Sequence, residues 1–185
     1  MAIDAFIYKS FRGVQAVFSF VKIFSLKSLL PRQIKMSLPV LGKSFSLHVT
    51  DGGVVHLENL RARDNVTLLC DGGVLSLGRD VFMNNQCSIN CLGNISIGDG
   101  TLLGENVRLY DHDHLHSSIE GVVPDRYSVG EINVGRRCWI GSNTIILKDV
   151  YICDNVIIGA GSIVKKSIGE PGVYVMKNGS MLKVR

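Results

Sequence analysis

The chain has 185 residues, enough for one domain with a real core, and it is 46% hydrophobic but only 19% charged. Its net charge of +4 is concentrated at the start, where residues 1–35 hold Lys9, Arg12, Lys22, Lys27, Arg32 and Lys35 against Asp4 alone. The rest is close to neutral and has no basic face interleaved with aromatics, which argues against a nucleic-acid-binding protein.

Residues 1–30 read as a helix, with Ile7, Phe11, Val14, Phe18 and Val21 forming one apolar stripe in alternating steps of four and three. Lys22 interrupts the apolar run and no small-residue cleavage site follows, so the pattern is not that of a signal peptide. The stretch is also too short and too charged to span a bilayer. Two readings remain: a helix packed on the body or on a neighbouring subunit, or a basic amphipathic segment resting on an anionic membrane surface. Pro31 and Pro39 end the helix.

A repeat follows. Asp51-Gly-Gly-Val-Val-His-Leu57 is echoed by Asp71-Gly-Gly-Val-Leu-Ser-Leu77, and Gly93-Asn-Ile-Ser-Ile97 continues it. Leu57, Leu77 and Ile97 therefore recur at a period of 20. Inside these units Leu77, Met83 and Ile89 keep a spacing of six, as do Ile97, Leu103 and Leu109. From Val134 the spacing of six is strict: Val134, Ile140, Ile146, Ile152, Ile158 and Val164, with Cys138, Thr144, Val150, Val156 and Ser162 each four places further on. A period of six fits neither a helix nor a plain strand. It fits a coil of short strands in which one aliphatic side chain per hexapeptide points inward and stacks on the next coil, a parallel β-helix. Coils of three hexapeptides take 18 residues, so the early coils carry about two extra residues at one corner. The expected organisation is a helical segment over 1–36, a β-helix over 37–168 and a tail over 169–185.

The five cysteines are an odd number without CxxC spacing, and Cys87 and Cys138 fall on the small inward positions. They read as buried, reduced thiols, which suggests a reducing compartment.

The repeat breaks once. Leu109 is followed by Val134 where six residues were due, so a loop is extruded at about 110–131. A long loop on a rigid scaffold is where function concentrates. This one holds Asp111-His-Asp-His114 and then His116, the densest titratable cluster in the chain. Three explanations compete. The histidines are solvated and idle; or His112, His114 and His116 gather a metal; or one imidazole, oriented by Asp111 or Asp113, takes a proton from an acceptor hydroxyl near neutral pH. The β-helical carbonic anhydrases use three histidines with zinc, but residues 78–90 lack the upstream histidine of that pattern, so no metal is expected.

The hexapeptides, the interrupting loop with its histidines, and Cys138-Trp139-Ile140-Gly141 after it resemble the hexapeptide acyltransferases. The resemblance covers roughly residues 70–168 and points within that family to maltose and galactoside O-acetyltransferases and to the polysaccharide O-acetyltransferases of capsule and O-antigen. It implies an all-β fold, a left-handed parallel β-helix, which is an exception to right-handed crossovers. It also implies a homotrimer with sites between subunits, acetyl-CoA as co-substrate and a saccharide acceptor. In that family a histidine stands seven places after the valine of an Asn-Val or Gly-Val step, and counting from Val107 reaches His114 as the base, with His112 as runner-up and Asp113 or Asp111 beside it. Asn84, with Asn85 next to it, matches the amide residue that binds acceptor hydroxyls, and Trp139 matches the tryptophan that walls the channel. The acidic partner expected eight residues after Asn84 falls on Leu92, a departure consistent with a different sugar. For acetyl-CoA the resemblance points to the backbone amides of Gly141 and Ser142, to the small Gly159 and Ala160, and to Lys165 and Lys166 at the phosphates. Corner geometry alone, with φ above zero, also explains the glycines.

The resulting expectation is an acetyl-CoA-dependent O-acetyltransferase of bacterial surface polysaccharide biosynthesis, cytoplasmic, with a lipid-linked oligosaccharide acceptor favoured by the basic first 35 residues. The alternatives are an N-acetyltransferase on an amino-sugar nucleotide, a serine acetyltransferase, a zinc hydratase and a non-catalytic β-helical scaffold.

Overall fold

A computed structural model describes residues 14, 17, 18, 21, 22, 24–37, 39–119 and 121–185. The expected helical positions Ile7, Lys9, Phe11 and Arg12 lie outside these. The described residues between 14 and 29 are helical.

From Ile34 onward the chain winds around three parallel faces. One coil runs from Val74–Leu77 on the first face, through Phe82–Met83 on the second, to Ser88–Cys91 on the third. Each strand pairs in parallel with the equivalent strand of the next coil. The sixfold spacing therefore becomes three aliphatic stacks. Leu57, Leu77, Ile97, Val134 and Ile152 are register partners on the first face. Met83, Leu103, Ile140 and Ile158 line the second, and Ile89, Leu109, Ile146 and Val164 the third. All are buried in one continuous core. The small positions four residues on are buried too, and their polar atoms are satisfied within the coil: Ser162 Oγ donates to Gly159 O at 2.6 Å and Cys138 Sγ to Cys153 O at 3.2 Å. All five cysteines are buried and unpaired, and burial pushes the Cys87 thiol up to about 11, the chemistry of an inert core thiol.

The three turns differ in what they hold. The second-to-third turn places one left-handed residue per coil, at Ser44, Asn65, Gln86, Asn106, Asn143 and Gly161. Asn tolerates that conformation better than most side chains. The third-to-first turn takes up the irregular lengths. The two extra residues of the early coils sit there, and so does the insertion. The segment expected as an extruded loop is an antiparallel hairpin, His112–Ser117 paired with Gly121–Val129, with a bulge between His114 and His116.

Both ends of the coil are covered. Leu26 and Leu30 pack against the core, and Lys22 Nζ donates to Phe45 O at 2.6 Å. At the other end Gly172–Lys177 adds in parallel to Val156–Ile158, and Ser180–Lys183 folds back antiparallel on it. Among the described residues no helix is long and apolar enough to cross a membrane.

Candidate active site

The third-face strand Arg108–Tyr110 delivers the chain to Asp111, and Asp111 fixes the hairpin to the coil. Its side chain is fully buried. Oδ1 accepts the Leu92 N–H at 2.9 Å and Oδ2 the Gly93 N–H at 2.8 Å, both from the preceding coil. Its carbonyl accepts the Gly130 N–H at 2.7 Å, which closes the hairpin base. The same Oδ1 lies 3.0 Å from His112 Nδ1. A carboxylate only accepts, so the neutral imidazole carries its proton on Nδ1 and leaves the Nε2 lone pair available.

Strand alternation sorts the rest of the cluster. His112 and His114 share one face of the hairpin, and Tyr127, the register partner of His114, joins them there. Its ring meets His112 edge-on at 5.3 Å and His114 tilted at 4.7 Å. Asp113 and its partner Ser128 point to the other face, where Lys148 donates to Ser128 Oγ at 2.7 Å and lies 3.5 Å from Asp113. Asp113 is thus turned away from both rings. The carboxylate–imidazole pair among the described residues is Asp111–His112, whereas the family count reached His114, which is exposed. Among the described residues no three His, Cys, Asp or Glu side chains gather to hold a metal ion.

The expected acceptor and co-substrate residues stand elsewhere. Asn84, Gly104, Gly141 and Gly159 form one column at the second-to-third turn, linked by Asn84 N–H to Leu103 O and Gly141 N–H to Ile158 O. Asn85, Ser142 and Ala160 follow one place on. Asn84 Oδ1 accepts the Asn85 N–H at 2.9 Å, Asn85 Oδ1 accepts the Asp64 N–H at 3.2 Å, and Ser142 Oγ accepts the Glu105 N–H at 3.1 Å. Gly141 and Gly159 do not have φ above zero, as corner geometry had suggested. A Cβ on Gly141 would instead come within 2.5 Å of Ala160 N, so close approach of neighbouring coils is what requires glycine there. Trp139 lies exposed on the second face between Leu102 and Ile157.

Lys165 and Lys166 return to the third-to-first turn, two coils beyond His112. They border a cavity of about 930 Å³ between the last coil and the terminal hairpin, with Tyr174 and Met181 on its other side. Lys183 closes on Glu170 at 3.0 Å and is occupied there.

Within one chain, then, the candidates occupy two corners. The imidazole pair and the lysines sit at the third-to-first turn, and the amide and glycine column sits at the second-to-third turn. Seven residues separate Gly141 from Lys148, roughly 20 Å of extended chain. The expectation missed Tyr127, which only the hairpin register brings to the histidines, and Lys148, which holds Asp113 and Ser128 on the opposite face.

Fold and repeat define a class, the left-handed parallel β-helix of hexapeptides. Residues 131–166 match the bacterial transferase hexapeptide model (six repeats), and the chain is a hexapeptide-repeat protein related to named O-acetyltransferases. An Escherichia coli protein named as a lipopolysaccharide biosynthesis O-acetyl transferase, WbbJ, is 30% identical over 65% of this chain and 66% of its own length. The galactoside O-acetyltransferase of Escherichia coli is 37% identical over 52% of this chain and 47% of its own. The crystal structure of a maltose O-acetyltransferase from Clostridium difficile superposes with a TM-score of 0.52 at 27% identity, covering 77% of this chain and 67% of that one. The chain spans less than two thirds of the length of these curated relatives.

Proposed function

We propose that the protein is an acetyl-CoA-dependent O-acetyltransferase with a saccharide acceptor and that His112 is its general base. The observation that carries this reading is the Asp111–His112 pair: a buried carboxylate, held by two backbone N–H groups, lies 3.0 Å from Nδ1 and leaves the ring's lone pair on Nε2. Acetyl-CoA, as co-substrate, supplies an activated acyl group. His112 Nε2 removes the proton of the acceptor hydroxyl as its oxygen attacks the acyl carbon. Of the two amides expected at the carbonyl oxygen, Gly141 N–H is already donated to Ile158 O at 2.8 Å, so the role of stabilising the developing negative charge falls to Ser142. The imidazolium at His112 then returns the proton to the departing sulfur. His114 borders the same face and contacts the acceptor, with Asn84, Asn85 and Trp139 on the opposing wall.

The two-corner layout supports a site shared between subunits of a homotrimer, where the glycine column of one subunit faces the hairpin of the next. Mixing inactive His112→Ala with Ser142→Pro, which removes the backbone N–H, tests this. Restored activity in mixed trimers is expected, and none would mean the site is completed within one chain.

The basic cavity at Lys165 and Lys166 suits the phosphates of coenzyme A. Doubling the change, Lys165→Ala with Lys166→Ala, is expected to raise KM for acetyl-CoA about tenfold while kcat holds, the signature of lost ground-state binding. The reading as a whole is tested by acceptor-dependent thiol release from acetyl-CoA across a panel of oligosaccharides. A protein that binds no acetyl-CoA would end it.

The relatives' names and the exposed apolar residues of the helix, Phe18, Phe24 and Leu29 among them, support surface-polysaccharide synthesis on the cytoplasmic side of a membrane, with a lipid-linked acceptor. Flotation with anionic liposomes should fall when residues 1–35 are removed. Equal flotation of both chains rules that contact out.

A further inference from the structure

The third face changes character along the coil axis. Its outward positions read Ser46, Thr67, Ser88, Arg108 in one column, then Ile145 and Ile163. The neighbouring column runs His48, Leu69, Asn90, Tyr110 and Leu147, so its polar part spans Asn90 and Tyr110. A solvated face needs only scattered polarity. Here hydroxyls and amides from three successive coils instead line one concavity of about 590 Å³, with Thr67, Ser88, Asn90, Asn106, Arg108 and Tyr110 on its walls.

No carboxylate borders this groove. Its single cation is Arg108. Arg108 Nε donates to Asn106 Oδ1 at 3.2 Å, and Asn106 Nδ2 donates to Asn143 Oδ1 at 2.9 Å, so the guanidinium is braced through its inner nitrogen. Arg79 and Arg136, at the first-to-second turn, are each matched by an aspartate, Asp99 at 2.7 Å and Asp154 at 3.2 Å. Arg108 forms no ion pair among the described residues; Glu105, the acidic side chain before it on the same coil, is engaged by Asn85 at 3.4 Å. The groove therefore presents neutral donors and acceptors, a half-buried aromatic ring and one uncompensated charge suited to bidentate binding of a carboxylate.

The strand that carries Arg108 and Tyr110 ends at Tyr110, and Asp111 joins it to the hairpin strand that opens at His112. From Arg108 to His112 is four residues, at most about 13 Å of chain. We infer that this groove is the acceptor tract of the proposed transferase and that the acceptor is a carboxylate-bearing oligosaccharide. It lies across the third face, with an acidic residue at Arg108, a sugar ring on Tyr110 and the reacting hydroxyl at His112. The inference deepens the transferase reading and rests on it for the last of these contacts, while binding in the groove stands apart from turnover.

The experiment measures binding and transfer separately. Oligogalacturonate, hyaluronan and oligosialic acid fragments are titrated calorimetrically against the full chain, beside maltohexaose and chitohexaose as neutral probes. The same titrations are run on Arg108→Gln and, for the ring, Tyr110→Ala, with thermal melting to confirm that each variant folds. At least one acidic fragment is expected to bind at least tenfold tighter than the neutral ones. Arg108→Gln should remove that preference and leave neutral binding in place. If no acidic fragment outcompetes the neutral ones, or if Arg108→Gln changes nothing, the inference is overturned. Acidic binding that depends on Arg108 but comes without thiol release from acetyl-CoA would keep the groove and remove the transferase reading. Transfer to neutral acceptors at a rate indifferent to Arg108 would do the reverse.

Discussion

His112→Ala is expected to lower kcat/KM for acceptor acetylation by about a thousandfold, a loss of about 4 kcal/mol in transition-state stabilisation. His114→Ala is expected to cost about tenfold or less. The difference follows from what holds each ring. His112 has its Nδ1 on a buried carboxylate at 3.0 Å, so its tautomer and orientation are fixed before substrate arrives. His114 lies on the exposed part of the strand against Tyr127 at 4.7 Å, an aromatic contact that sets neither tautomer nor charge. The measurement is acceptor-dependent thiol release under single-turnover conditions, which separates chemistry from product release. A thousandfold fall in His114→Ala with His112→Ala near wild type would return the base to the position the family spacing indicates. Equal, modest losses in both would mean that neither ring transfers the proton.

The coil was legible because its physics is written at constant spacing. One inward aliphatic side chain per hexapeptide is both what the sequence repeats and what the stack buries, from Leu77, Met83 and Ile89 through to Val164. The hairpin was harder to read. Its two strands meet without an Asn-Gly or Asp-Gly turn, so nothing local announced the pairing of His112–Ser117 with Gly121–Val129. Without that register the run Asp111-His-Asp-His114 is symmetric, and either aspartate serves either ring. Alternation breaks the symmetry, sending Asp113 to Lys148 and leaving His112 to Asp111. The glycines misled in a different way. Gly141 and Gly159 looked like turn residues, but the left-handed positions fall two places later, at Asn143 and Gly161. Contact between coils, which no single hexapeptide encodes, is what excludes a side chain.

The second large effect is expected at Asp111, which in the proposed reaction acts through His112 and which holds the preceding coil. Asp111→Ala leaves the partly buried Leu92 and Gly93 N–H groups without their acceptors, at up to about 1–3 kcal/mol for each. The urea midpoint should fall accordingly, and kcat should fall about a hundredfold as His112 loses its orientation. Stability alone does not separate a positioning role from a scaffold role, so two further readouts are needed. KM for acetyl-CoA should stay within about twofold, because the lysine-lined cavity lies two coils away and the glycine column at another turn. The imidazole nitrogen shifts of His112, read by ¹⁵N NMR, should show the Nδ1–H tautomer in the wild type and a mixture in the variant. Asp111→Asn refines the test. With its amide oxygen in the Oδ1 place it still accepts Leu92 N–H and His112 Nδ1–H, while its NH₂ opposes the Gly93 N–H, so part of the stability and the Nδ1–H tautomer should return while kcat, without the negative charge beside the imidazolium, stays below wild type. If Asp111→Asn keeps wild-type kcat, the negative charge plays no part in the reaction; if Asp111→Ala keeps both the Nδ1–H tautomer and wild-type kcat, the carboxylate is only a clamp for the hairpin, and the orientation of His112 must come from Tyr127, whose ring stands edge-on to it at 5.3 Å.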